Sequence, residues 1–271
     1  MERRLLNAGK RNVIGILIDA VDYEAAVESV FQANRERRSF AVSALAVHGV
    51  MTGVLDPEQK FRLNHFDLLV PDGQPVRWLL NRLYHTKLRD RVYGPNLTLK
   101  ICARAAEEGL PVYFYGSTPE VLVALKESLA TTAPGLVIAG MEASKFRKLT
   151  SREKSAIADR IRSSGASLVF AGLGCPKQEV FAYEFCEVLS MPIVAVGAAF
   201  PFLAGLIPQA PPWMQNAGLE WLFRLTSEPK RLWRRYLYLN PAYLCLGVMQ
   251  ALGISRFSTD GKPPVGEVLH G

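Results

Sequence analysis

Apolar segments of four to eight residues alternate with segments of helical period along most of the chain, and few architectures accept that alternation. Strands are predicted at 12–19 (NVIGILID), 40–47, 67–70, 111–115, 136–140, 168–172 and 193–196. Helices are predicted at 23–38, 57–65, 74–84, 97–108, 151–164 and 177–189. Ala26, Val27, Val30 and Phe31 show the helical spacing, and Asn96 is a candidate cap for the helix at 97–108. The strands are apolar throughout, as required when both faces of a sheet are covered. The pattern implies an α/β, Rossmann-like parallel sheet with helices on both faces. Ligands of such sheets bind beyond the carboxyl ends of the strands, so the loops after each strand carry the functional information.

The character changes near Pro211. A Trp-rich, Arg-rich stretch follows, and the chain divides into an α/β domain (1–211), a basic, aromatic helical appendage (212–257) and a polar tail (258–271) read as disordered. The formal net charge of the 271 residues is +7, and much of the excess sits in the appendage, where Arg224, Lys230, Arg231, Arg234 and Arg235 face one acid, Glu228. That balance points to a polyanion: a nucleic acid, a membrane surface or a phosphorylated substrate. The run at 191–208 contains Pro201 and reads as a buried strand with its turn rather than a membrane span. The run at 236–254 is interrupted by Asn240, Pro241 and Gln250, and suits a helix lying on a membrane, a partner or the protein itself. Four cysteines without a CxxC pair exclude a disulfide scaffold. The basic N-terminus has no apolar run of secretory type, so cytoplasmic residence is expected.

Several strand-end residues carry chemistry. Asp72 follows a predicted strand and precedes Gly73. It is either a general base facing the crevice or a solvated turn residue. Arg91 can hold a diphosphate through its planar donor fork, or be an ordinary surface arginine. In GLGCPKQE (172–179), Gly174 allows close approach of a ligand, and Pro176 starts a helix whose free N–H groups attract anions. Gln178 can donate and accept at once, which suits a sugar or base edge. The loop is neither a dinucleotide fingerprint nor a P-loop. Gly116 and Ser117, followed by Thr118 and Pro119, form another anion-friendly turn, or simply a helix cap. His48 reads as a structural histidine or a minor site residue. No metal-ligand spacing is evident. Arg224, Arg231 and Arg234 share one face if a single helix runs through them, although Pro229 interrupts the stretch.

These pieces form an ordered series: VPDG at 70–73, RVYG at 91–94, YG at 115–116, GLGCPKQE at 172–179, VGAAF at 196–200, APPW at 210–213, GLEWLFRL at 218–225 and EPKRLWRRY at 228–236. The series resembles the WecG/TagA/CpsF family of bacterial glycosyltransferases (glycosyltransferase family 26), over roughly residues 12 to 257. The resemblance implies inverting transfer of a sugar, often of N-acetylmannosamine type, from a UDP-sugar to a polyprenyl-diphosphate-linked acceptor. It implies work without metal or cofactor at the inner face of the plasma membrane, for cell-surface polysaccharide synthesis. Asp72 then falls at the general base, with Arg91 also in the active site. The family's glutamine falls on Gln178, and the further candidate substrate contacts are Ser43, Gly73, Gly116, Ser117, Gly174, Lys177 and Glu179. Arg224, Arg231 and Arg234 fall at the diphosphate. The implied partners are a nucleotide-sugar donor, a lipid-linked diphosphate acceptor, an anionic membrane surface and further copies of the chain, with no nucleic acid. Three positions depart from the family: Leu45 replaces an asparagine, Pro201 an aspartate and Gln209 an arginine. They leave an N-acetylhexosamine, a hexose or a hexuronate open as the transferred sugar. They also motivate a rival expectation, a non-catalytic nucleotide-sugar-binding or scaffold protein.

Overall fold

The computed structural model describes residues 5–271; residues 1–4, part of the basic N-terminal stretch, lie outside the described residues. The chain opens with an antiparallel hairpin, β1 (Asn7–Val13) and β2 (Ile16–Val21). The single strand predicted at 12–19 is therefore two strands. Ile14 and Gly15 turn with φ of 53° and 87°, and the Asn12 side chain accepts the Gly15 N–H at 2.7 Å. Two consecutive positive φ values match the right-handed twist of paired strands, which is why a glycine stands there.

Next come α1 (Tyr23–Arg35), β3 (Phe40–Leu45), α2 (Val47–Leu55), α3 (Pro57–Asn64), β4 (Leu68–Pro71), α4 (Gln74–Tyr84) and α5 (Gly94–Glu107). Then follow β5 (Val112–Gly116), α6 (Pro119–Thr132), β6 (Ile138–Glu142), α7 (Ser151–Ser163), β7 (Leu168–Gly172), α8 (Lys177–Leu189), β8 (Pro192–Ala195) and α9 (Ala199–Leu203). The appendage comprises α10 (Pro212–Asn216), α11 (Glu220–Ser227) and α12 (Pro229–Ala251). Helix α5 starts earlier than expected, capped at Tyr93, so Asn96 lies inside it.

Strands β3 to β8 form one parallel sheet in the order β4-β3-β8-β7-β5-β6. Successive side chains go to opposite faces, as the pleat requires. Ala41, Leu69, Val169, Ile193 and Tyr115 face a core closed by α2, α3, α4, α7, α8 and the hairpin. Val42, Val70, Phe114, Phe170 and Val194 face one closed by α1, α5, α6 and α9. Phe114 stacks on Phe170 with ring centroids 5.0 Å apart and meets Phe200 edge-on at 5.5 Å. Each such fully buried ring contributes about 1.5–3 kcal/mol by leaving water. The sheet and its two helical layers thus make a rigid platform with its carboxyl edge open.

Helix α12 is anchored through its C-terminal half. Gln250 accepts the Ile14 N–H at 2.9 Å and donates to the Asn12 carbonyl at 2.9 Å. The Tyr243 ring is buried and its hydroxyl donates to the Pro75 carbonyl at 3.3 Å. Pro241 sits on the exposed side of α12, where the carbonyl it leaves unbonded meets water, so the helix continues through it. Among the described residues no helix is long and apolar enough to cross a membrane.

The segment 258–271, expected to be disordered, lies along the body. Glu184 accepts the Val268 and Leu269 N–H groups at 2.6 and 3.1 Å, and Leu269 accepts from Leu149 N at 2.7 Å. Lys262 N bonds the Pro57 carbonyl, and Lys154 pairs with Glu267. Backbone bonding of this kind needs no apolar periodicity, so polar composition alone misreads it.

Candidate active site

Four adjacent strand ends, those of β4, β3, β8 and β7, open into a cleft beneath α11 and the start of α12. It has two lobes, of about 100 Å³ and about 300 Å³. Asp72, Ala46, Glu220, Arg224 and Arg235 line both lobes. Asp72 stands directly after β4. Its N–H bonds the Leu45 carbonyl at 3.1 Å, and its Oδ1 accepts the Gly94 N–H at 2.8 Å. The carboxyl has lost most of its hydration, which raises its pKa to about 6. Arg91 opposes the rise, Glu220 adds to it, and the Gly94 N–H and Arg224 oppose it less. A carboxylate poised near neutrality suits proton abstraction.

Arg91 lies in the smaller lobe and stacks on the Tyr93 ring, 4.1 Å from its centroid. Its Nη2 donates to Glu220 Oε2 at 2.6 Å and to Gln215 Oε1 at 3.0 Å. A body arginine is thereby clamped by two appendage side chains. Gly73 caps α4 without a side chain, and an added Cβ would lie 3.4 Å from Ala46 Cα.

The larger lobe receives the 172–179 loop. Gly174, with φ of 80°, donates its N–H to Gln178 Oε1 at 3.2 Å. Gln178 Nε2 donates to Glu179 Oε1 at 2.8 Å, and Ser43 Oγ donates to that oxygen at 2.9 Å. Ser43 is fully buried on β3 and acts through Glu179 rather than facing the lobe. Burial raises the Glu179 pKa, against the hydrogen bonds from Gln178 and Ser43. Lys177 stands exposed at the rim, at the start of α8.

The appendage arginines divide. Arg224 projects from α11, 5.5 Å from the Phe202 centroid, into both lobes. Arg231 lines the larger lobe while pairing with Glu228. Arg234 is exposed over Trp233 and lines neither lobe; Arg235 takes the inward position. The break at Pro229 places Arg224 on a different helix from the rest, so the seven-and-three spacing does not define one face. Within α12, Arg231 and Arg235 stand at i, i+4 and share one. Burial, then the positive charge of Arg224 and Arg231, lowers the pKa of Arg235. Burial, then Arg235, pushes the pKa of His48 down to about 4, so its imidazole is neutral at pH 7. Gly116 and Ser117 end β5, beyond β7 in the sheet, and line neither lobe. Ser117 bonds Ser144 N through its carbonyl.

Eight buried side-chain polar atoms find no hydrogen-bond partner among the described residues, and five belong to cleft-lining residues. They are His48 Nδ1, Tyr93 Oη, Glu179 Oε2, Arg224 Nε and Arg235 Nε. Buried unpaired polar atoms are costly, and their concentration here marks a surface built to be completed by a ligand. Among the described residues no group of three or more His, Cys, Asp or Glu side chains is arranged to hold a metal ion.

The model of the glycosyl transferase WecG/TagA/CpsF family matches residues 11–256. The chain belongs to this family. As a WecG/TagA/CpsF glycosyltransferase it uses a sugar donor and an acceptor. Glu220 and Tyr93 lie within quoted motifs, GLEW and RVYG, but nothing in a linear string marks a side chain as pointing inward. The sequence spacing selects Arg234 rather than its neighbour Arg235, because helical phase cannot be carried across the break at Pro229.

Proposed function

We propose that the protein is an inverting glycosyltransferase that moves a sugar from a UDP-sugar to a saccharide carried on polyprenyl diphosphate, in the synthesis of a bacterial cell-surface polysaccharide. The observation that carries the reading is the position of Asp72, where the two lobes meet, with Arg224 and Arg235 lining both. In this scheme the acceptor hydroxyl attacks the anomeric carbon from the face opposite the UDP. Its proton passes to the Asp72 carboxylate, the new glycosidic bond forms, and the bond from the anomeric carbon to the β-phosphate oxygen breaks. The electron pair leaves with UDP. In-line displacement inverts the centre. Guanidinium groups meet the charge that grows on the diphosphate, and the N-terminus of α8 adds backbone N–H donors. Arg91 is available to the diphosphate by exchanging its Glu220 partner. Helices α11 and α12 lie over the cleft, and restricting water there would limit hydrolysis of the donor.

Peripheral attachment to the inner membrane face is supported by the exposed Trp213, Trp233, Leu237, Tyr238, Leu244 and Val248 on a helical segment rich in arginine. Aromatic and aliphatic side chains enter the interface, and each nearby cation adds about 1 kcal/mol of attraction to anionic lipid.

The test is Asp72→Asn, assayed with radiolabelled UDP-sugars and a lipid-diphosphate acceptor. The base role predicts loss of 10²- to 10⁴-fold in turnover, the range typical of general base catalysis. Wild-type-like turnover in the variant removes Asp72 from the mechanism. Tight UDP binding with no transfer by the native protein to any lipid-linked acceptor removes the catalytic reading itself.

A further inference from the structure

Two of the unpaired atoms differ from the rest. Those of His48, Arg224 and Arg235 belong to the cationic side of the cleft, whereas Glu179 Oε2 and Tyr93 Oη are oxygens, and both residues line the larger lobe. Glu179 is fully buried and Tyr93 is 4% exposed. Glu179 is held rigidly, because its other oxygen takes two hydrogen bonds, from Ser43 and Gln178. The Cys175 thiol lies beside the carboxyl but is a weak donor. Tyr93 is fixed by the Arg91 guanidinium on its ring, and its backbone N–H donates to the Tyr23 hydroxyl at 2.9 Å. The folded chain therefore keeps a buried acceptor that wants an O–H and a buried hydroxyl that can both donate and accept, on two residues that line one lobe of about 300 Å³ beside Asp72. The Glu179 carboxylate does not suit a diphosphate, which it repels.

We propose that Tyr93 and Glu179 form a subsite for a hydroxylated ring of the nucleotide sugar, with Glu179 accepting from one ring hydroxyl and Tyr93 bonding another. The subsite rests on the donor reading given under Proposed function. It makes Glu179 and Tyr93 specificity-determining residues, while Gln178 and Ser43 are positioning residues that aim Glu179. Such a site rejects analogues that lack the matched hydroxyl, since the buried oxygen is then left unpaired.

The ring is either the transferred sugar or the ribose, and calorimetric titration separates the two. Wild type, Glu179→Gln and Tyr93→Phe are titrated with UDP, UDP-glucose, UDP-N-acetylglucosamine and a deoxy analogue of whichever donor binds tighter. Both substitutions preserve shape, and thermal melting verifies that each variant is folded. The subsite predicts about tenfold weaker donor binding in each variant. It also predicts that the penalty for deleting one hydroxyl of the donor, present in wild type, disappears in one variant. UDP affinity that is unchanged assigns the ring to the transferred sugar; UDP affinity that falls in parallel assigns it to the ribose. Variants that bind UDP and both sugars as tightly as wild type overturn the inference and leave the donor reading standing. A wild type that binds no UDP-sugar overturns both.

Discussion

Arg91 and Glu220 meet at 2.6 Å across the seam between the sheet's carboxyl edge and helix α11, with only 8% and 14% of their side chains exposed. The pair couples the appendage to the proposed base. Arg91 stabilises the ionised form of Asp72, and Glu220 opposes it. Any ligand that engages Arg91 weakens its hold on Glu220, so occupation of the smaller lobe and the seating of α11 are linked.

Glu220→Gln is expected to keep a hydrogen bond to Arg91 while removing the negative charge. Asp72 then ionises more readily, and the acid limb of the turnover profile moves to lower pH. Turnover at neutral pH should fall roughly tenfold, because Arg91 is no longer held in place by an ion pair and charge-assisted bonds of this kind contribute about 1.5–3 kcal/mol. An acid limb at its original pH, measured on folded variant, contradicts the coupling.

Asp72 makes a second pH argument, in stability. Its folded pKa of about 6 lies above the ordinary value of 3.8, so between those values the folded chain holds a proton that the unfolded chain has released. The favourable contribution of the neutral carboxyl is complete below pH 3.8 and is lost as pH rises through 6. Asp72→Asn removes that loss. The variant should be more stable than wild type at pH 7, by on the order of 1–2 kcal/mol after allowing for solvent at the cleft, and equally stable at pH 3.5. Urea unfolding at the two pH values measures both. Equal stability at both means the carboxyl is fully hydrated in the native state.

Much of this architecture is readable in the linear chain. β7 and α8 fall at the predicted residues, 168–172 and 177–189, because a fully apolar run next to a helical period leaves little choice. Helix α2 is absent from the elements the sequence predicts. Its cap, Ala46, makes no side-chain bond, and its apolar residues continue the strand before it, so no local signal marks the change. The hairpin turn at Ile14-Gly15 hides in the same way inside an apolar run. At the site, Asp72 follows β4 directly, and Gly174 and Gln178 lie in the loop and first helical turn after β7, which is where the sequence pattern directs attention. Gly116 and Ser117 carry the same local signal, yet the strand order sets them beyond the cleft, and strand order is not a local property.

Arg235 and Arg234 offer a direct comparison of neighbours. Arg235 lines both lobes with an unpaired buried Nε, whereas Arg234 is exposed over Trp233. Arg235→Ala should reduce transfer to a lipid-diphosphate acceptor at least tenfold more than Arg234→Ala. Loss of one guanidinium aimed at developing charge costs about 2–4 kcal/mol in other electrostatic sites. Vesicle co-sedimentation adds a second measurement, with Arg234→Ala expected to have the larger effect on binding to anionic lipid. A reversed order in the transfer assay contradicts the inward role of Arg235.

Gly116 lines neither lobe, and one substitution separates a packing role from a ligand-binding one. It pairs with Gly172 at the ends of β5 and β7, with φ of 120°. A Cβ added there would stand 2.7 Å from the Gly172 carbonyl carbon and 2.8 Å from its oxygen, both backbone atoms that cannot rotate away. Gly116→Ala must therefore either adopt a backbone conformation that L-residues rarely occupy or push apart two neighbouring strands. Strain of this sort costs 1–3 kcal/mol, and overpacking a similar amount, so a loss of roughly 3 kcal/mol is expected in urea unfolding. Because Gly116 lines neither lobe, the folded fraction should bind UDP with wild-type affinity. A variant of normal stability with weakened UDP binding returns Gly116 to the ligand and shows that the donor reaches past β7.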